Sequence, residues 1–193
     1  MRRTGVTICR AVVAVGAVLL VALAGCGGSG RGRPSSSFAW LKPSSPPIGW
    51  KIARIRGGAA LAYPPGWTRI RSDPGTASAA LLGDGERIDG FLNATPQQRT
   101  ETLADWSRFR PGHNRDEGDR RVRLLATSAN GRFRSGRGAC VIDAYSTTKA
   151  SYREIACLVS GPRSSAVVVG AAPTAMWAQQ AAALERAVSS FVG

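Results

Sequence analysis

Carriers of chemistry are few in this 193-residue chain: four cysteines, a single histidine and 12 Asp and Glu residues. With only His113, a multi-histidine metal site and a conventional Ser-His-Asp enzyme are both excluded. The run His113-Asn114-Arg115-Asp116-Glu117-Gly118-Asp119 has the flavour of a metal loop. It lacks the calcium-loop spacing and its terminal Glu, and Arg110, Arg120 and Arg121 surround it, so it reads as a solvated loop with no metal. There is no G-x-S-x-G, no phosphate-binding G-x-x-x-x-G-K and no Rossmann glycine pattern, so no cofactor is expected. The informative residues come later. Cys140, Asp143 and Tyr145 precede a turn, and Tyr152, Glu154 and Cys157 follow it at mirrored spacings.

The other telling cysteine is near the start. Arg2, Arg3 and Arg10 precede an uncharged run from Ala11 to Ala24. Those residues are too few to span a bilayer, which needs roughly 20, and the pattern is that of a secretory signal peptide. Leu23-Ala24-Gly25-Cys26 then resembles the bacterial lipobox. That motif implies a Cys26 thiol joined to diacylglycerol, with cleavage leaving the lipidated Cys as the first residue. The expected organisation is a signal peptide over residues 1–25, a lipidated Cys26 with a Gly/Ser/Pro-rich tether over 26–47, and one folded domain over 48–193. A tether of that composition cannot bury enough apolar surface to fold. Phe38, Trp40 and Leu41 interrupt it, with docking on the domain or dipping into the membrane interface as the two readings.

Charge changes meaning with this address. The full chain carries 26 Lys and Arg and a net charge of +14, and removing residues 1–25 with their three arginines leaves +11. A domain this basic would ordinarily suggest nucleic acid. An exported lipoprotein meets little of it, so no nucleic-acid partner is expected, and anionic lipids and wall polymers are the polyanions within reach.

Mirrored spacing in the late segment reads as a hairpin joining Ala139–Ser146 to Tyr152–Val159. A turn centred on Thr148-Lys149 sets Cys140 opposite Cys157 and Asp143 opposite Glu154. With Cys9 removed and Cys26 acylated, Cys140 and Cys157 are the two thiols left in an oxidising compartment, so a disulfide is expected. It would contribute about 3 kcal/mol on the chain-entropy argument. A redox-active pair is the alternative, and the absence of C-x-x-C spacing speaks against it. Cys140, Ile142, Ile155 and Cys157 then share one face; Val141, Asp143, Tyr145, Tyr152, Glu154 and Ala156 share the other. Opposed like charges are destabilising. Either Arg153 or another arginine neutralises the pair, or the two carboxylates line a cleft and share a proton as an acid/base couple. Asp143, Tyr145, Tyr152 and Glu154 are therefore the candidate ligand site.

Several elements must position that hairpin. Short strands are expected at Ala59–Tyr63, Thr68–Ile70, Ser78–Leu82 and Ile88–Asn93, separated by turn formers. A helix follows, with Thr95 as cap, Pro96 at its first position and Gln98 completing a capping box; Leu103, Trp106 and Phe109 face the core while Glu101, Asp105 and Arg108 face away. Val122–Ala171 reads as an antiparallel meander whose first turn is Asn130-Gly131. Ala166–Val169 is apolar on both faces, as in a central strand covered on each side. A last helix, capped by Thr174, buries Trp177, Ala181, Leu184, Val188 and Phe191 and turns Gln179, Arg186 and Ser190 outward.

This order of elements, with the Tyr63-Pro64-Pro65-Gly66-Trp67 turn, the stretches GFLNATP and YREIACLV, and the TAMW helix start, resembles the PsbP-like superfamily, and within it the actinobacterial LpqN and LpqT lipoproteins. The resemblance covers about Trp50 to Phe191. It implies an α+β fold, an α/β/α sandwich with a mainly antiparallel sheet flanked by helices. It also implies a non-catalytic binding or scaffold module of the cell envelope, held on the extracytoplasmic face of the membrane through Cys26, with an envelope protein or a lipid-like ligand as partner. The alternative is a small envelope hydrolase or isomerase using Asp143 and Glu154.

Overall fold

A computed structural model describes residues 36–193, so the expected signal peptide over residues 1–25 and the expected lipidation site Cys26 lie outside the described residues. In chain order the elements are β1 (Lys51–Arg54), β2 (Ala60–Tyr63), β3 (Thr68–Ile70), β4 (Ala77–Leu82), β5 (Ile88–Pro96), α1 (Trp106–Asp116), β6 (Arg120–Phe133), β7 (Gly136–Ser146), β8 (Ser151–Ser160), β9 (Ser165–Pro173) and α2 (Trp177–Ser189). Seven strands make one sheet in the order β3-β4-β5-β9-β8-β7-β6, antiparallel at every pairing, and β1–β2 form a separate hairpin.

Strand β9 is the middle strand, as its two-sided apolar pattern requires. Its Val168 shares the main core with Ile142, Ile155 and the α2 residues Leu184 and Val188, with Phe191 just beyond the helix. Val167 and Val169 point the other way, into a smaller cluster around Trp106 of α1 with Val141, Ala156 and Leu158. The helices thus cover opposite faces, and the layers are helix, antiparallel sheet, helix. Leu61 of the small hairpin joins the α2-side core, and Ala60 bridges to Val192. Trp67, from the Pro-Pro-Gly-Trp turn, is buried against Gly90, where a Cβ would lie 2.7–2.8 Å from the indole ring. That glycine is there because the ring occupies its side-chain space.

Several expectations change. Thr95 and Pro96 do not start a helix; they are the last residues of β5, paired with Val167 and Ala166, and α1 begins at Trp106. Pairing with the central strand outweighs the local capping pattern. Glu101 is correspondingly buried, its carboxylate accepting the Gln98 backbone N–H at 2.7 Å, and burial raises its pKa. Asn130-Gly131 is a β-bulge within β6: Ser128 pairs with Cys140 and Gly131 with Gly138, so Ala129 and Asn130 oppose Ala139 alone. The chain reverses later, at Arg134-Ser135. Gly131 suits its position because a Cβ there would lie 2.9 Å from the Leu41 side chain and 3.2 Å from the Gly138 carbonyl oxygen.

The N-terminal boundary also moves. Phe38 is 4 % exposed within the main core, Trp40 and Leu41 pack against it, and the Ser44 backbone N–H donates to the Ser189 carbonyl. Of the two readings for these aromatic residues, docking on the domain is the one realised. At the other end, Thr174 supplies no side-chain cap to α2, whose N-cap position is Met176, and Ser190 is buried with its hydroxyl donating to the Ala187 carbonyl.

Candidate functional site

The β7–β8 register is the mirrored one: Cys140 pairs with Cys157, Asp143 with Glu154 and Tyr145 with Tyr152. Cys140 and Cys157 are joined by a disulfide, their Cα atoms 4.1 Å apart, on the face that meets α2. The bond staples neighbouring central strands inside the core, both residues being at most 1 % exposed.

On the opposite face Asp143 and Glu154 are 0 % and 1 % exposed. Two buried carboxylates on adjacent strands would repel unless a cation or a proton intervenes. The cation comes from α1. Arg110 donates from Nε to Glu154 Oε1 at 2.7 Å and from Nη2 to Oε2 at 2.9 Å, a bidentate pair whose Arg side chain is itself only 15 % exposed. Burial works against the Arg110 charge, yet the Glu154 charge and hydrogen bonds outweigh it and raise its pKa. Arg153 does not serve: it lies on the other face, its guanidinium 4.8 Å from the Trp177 ring centroid.

The proton falls to Asp143. Burial first, and the neighbouring Glu154 charge second, push its pKa up to about 7 against the pull of Arg110. Asn114 donates from Nδ2 to Asp143 Oδ2 at 3.2 Å, while Oδ1 is buried without a partner. Oδ1 is therefore the oxygen left to carry a proton. Of the two sequence readings, neutralisation by another arginine is the one realised, through Arg110 on Glu154; Asp143 is relieved by its raised pKa and not by lining a cleft with Glu154.

Tyr145 and Tyr152 stack at 5.7 Å between ring centroids, and the Tyr145 hydroxyl reaches Glu154 Oε2 at 3.5 Å. Burial, followed by the Glu154 charge, raises the Tyr145 pKa, so it is a neutral donor. Arg110 and Asn114 are the members of this cluster that sequence reasoning missed. They continue the i, i+4, i+8 series from Trp106, whose Nε1 donates to the Ala156 carbonyl at 3.0 Å; the signal was a face of one aromatic and two polar residues. His113 stacks on Phe109 and reaches Glu117 at 3.2 Å, and among the described residues no group of three potential ligands could hold a metal.

Open space lies elsewhere. Three grooves of about 650, 660 and 420 Å³ lie around the turn end of the β7–β8 hairpin; the second and third border residues of the Thr147–Ala150 turn, the first borders Ser146 and Ser151 beside it, and Tyr152 borders all three. Asp143 and Glu154 border none of them. Tyr145 and Tyr152 therefore belong both to the buried cluster and to the surface end, whereas the carboxylates belong only to the interior.

No family model and no curated protein matches the sequence. Solved structures do. PsbP from the cyanobacterium Synechocystis sp. PCC 6803 matches over 77 % of this chain and 96 % of its own, with a TM-score of 0.53 at 16 % identity. Looser likenesses include LpqN of Mycobacterium tuberculosis, described as involved in cell envelope biogenesis (74 % of this chain, 89 % of that one, TM-score 0.39, 10 % identity). A protein of unknown function from Pseudomonas aeruginosa covers 75 % of this chain and 96 % of its own, with a TM-score of 0.43 at 9 % identity. The last two overlap too little to carry an argument, and the first speaks for architecture alone: strands, then α1, a long antiparallel meander and a terminal helix make a PsbP-like α+β fold.

Proposed function

We propose that this protein is a lipoprotein held on the extracytoplasmic face of the cell membrane through Cys26, and that its sandwich domain is a non-catalytic binding or scaffold module of the cell envelope. Its partner is an envelope protein or a lipid-like ligand, met at the groove-bearing end of the β7–β8 hairpin. The observation that carries the non-catalytic reading is the burial of Asp143 and Glu154, at 0 % and 1 % exposure, away from every groove at that end. An acid/base couple must touch its substrate within hydrogen-bond reach. The alternative, a hydrolase or isomerase using the pair, has the elevated Asp143 pKa in its favour but would need α1 to lift before either carboxylate met a substrate.

Support for the location comes from the Leu23-Ala24-Gly25-Cys26 motif and from the disulfide, which persists in oxidising compartments. No helix among the described residues is long and apolar enough to cross a membrane. The test is crosslinking at the native membrane with a photoreactive group at Tyr152. Wild type is expected to fractionate with membranes and capture an envelope protein or lipid. Cys26→Ala is expected to lose the acyl label and leave the membrane, and its continued membrane retention would overturn the anchor.

A further inference from the structure

The groove of about 650 Å³ differs from the other two in its charge. It is bordered by Arg121, Arg123 and Arg153, and among the described residues none of the three makes an ion pair with a carboxylate. Strand register explains the spacing. Arg123 pairs with Ala144, and Ala144 with Arg153, so the three side chains leave one face of the sheet in a row. Neighbouring positions in such a row are about 5 Å apart, so Arg123 and Arg153 leave the sheet on either side of Ala144, whose side chain is a single methyl group.

Like charges are placed this way at a cost unless something neutralises them. Arg153 is set by the Trp177 ring rather than by an acid, and its buried Nε has no hydrogen-bond acceptor. Glu185 is close enough for its carboxylate to feel the Arg153 charge but forms no ion pair with it. Arg121 sits in the register irregularity between Arg120 and Arg123 with φ +54°, a conformation disfavoured for any residue but glycine and its few substitutes. Such an irregularity re-aims side chains at a strand edge. Beside the arginines, Leu125 on the edge strand is 41 % exposed and borders the same groove.

Paired guanidinium groups suit a phosphate, which accepts parallel N–H bonds on several oxygens, and the exposed leucine suits an apolar chain leaving that phosphate. We propose that this groove binds a phosphate-bearing amphiphile, the phosphate seated between Arg123 and Arg153 over Ala144 and the chain running along Leu125. This rests on the envelope-module reading and names its ligand class.

Titrating the full-length protein, in a nonionic detergent, with short-chain phosphatidate, inorganic phosphate and a monoacylglycerol of equal chain length tests it by calorimetry. Phosphatidate is expected to bind at least about tenfold more tightly than either of the others, and R123Q/R153Q to lose at least about tenfold of that affinity. An R54Q/R56Q control, away from the groove, is expected to bind as wild type. Inorganic phosphate binding as well as phosphatidate would overturn the amphiphile, and R123Q/R153Q binding within about twofold of wild type would overturn the site. The pair variant's unchanged melting temperature is the check that it folds. If phosphatidate fails to bind while the Tyr152 crosslink still captures an envelope protein, this inference falls and the module reading stands.

Discussion

Trp106, Arg110 and Asn114 hold α1 to one face of the sheet through an indole hydrogen bond, a bidentate ion pair and an amide–carboxylate contact. Leu184, Val188 and Phe191 hold α2 and its continuation to the other face, among Ile142, Ile155, Val168 and the disulfide. The first interface concentrates its energy in a few directional contacts. The second spreads it over apolar area, which is insensitive to the loss of any one polar partner. A sheet with one face of each kind should respond asymmetrically to substitution and to pH.

The sharpest way to break that asymmetry is Arg110→Ala. It strands Glu154 as a buried charge beside Asp143, and breaking one half of a buried pair typically costs about 3–5 kcal/mol. Urea unfolding is expected to show that loss at pH 8 and a smaller one at pH 5, where Asp143 is neutral and no longer repels the stranded carboxylate. An equal loss at both pH values would mean that the charge is not what α1 contributes. On the other face Leu184→Ala, at 0 % exposure, is expected to cost about 3 kcal/mol through lost burial and a residual cavity. Its effect should be the same at both pH values, and a pH-dependent cost there would dissolve the contrast.

The two faces were also unequally legible. Strand alternation around a mirrored turn is a local pattern, so the Cys140–Cys157 pairing, the opposition of Asp143 and Glu154 and the apolar stripe of α2 could all be read from spacing. What neutralised the carboxylates could not. Arg110 is 44 positions from Glu154, and only its place four residues after Trp106 on the sheet-facing side of α1 sets it apart from the chain's many other arginines. The start of α1 was misread for a related reason: Thr95-Pro96-Gln97-Gln98 has good capping chemistry, but Val167 and Ala166 of the central strand claim Thr95 and Pro96 first. Likewise Asn130-Gly131 has the composition of a turn, but β6 continues through it to Phe133 and stays paired with β7 on both sides of the bulge. Tertiary pairing outranked local preference in both cases.

Asp143 offers a finer probe of the charged face. Its folded pKa of about 7 lies above the ordinary carboxylate value near 3.8. Between those values the folded state holds a proton that the unfolded state has released. The stability this contributes is complete below pH 4 and is lost as pH rises through 7. Asp143→Asn cannot ionise, so it should flatten that slope and gain about 3–4 kcal/mol over wild type at pH 8 relative to pH 4. Chemical unfolding across that range measures it, and parallel curves for the two proteins would assign the slope elsewhere.

Trp106→Phe makes the smallest demand. The substitution keeps most of the ring in the cluster with Val141, Ala156 and Val169 but removes the donor that reaches the Ala156 carbonyl at 3.0 Å. That carbonyl belongs to β8, two residues from Glu154, so the indole and Arg110 fix α1 against the same strand. Losing the hydrogen bond in a buried setting is expected to cost about 1–2 kcal/mol at every pH. If α1 is positioned by both contacts together, the double variant with Arg110→Ala should lose less than the sum of the two, because a helix already loosened by one substitution has less to lose by the other. Strict additivity would mean that the tryptophan and the arginine act as independent fasteners.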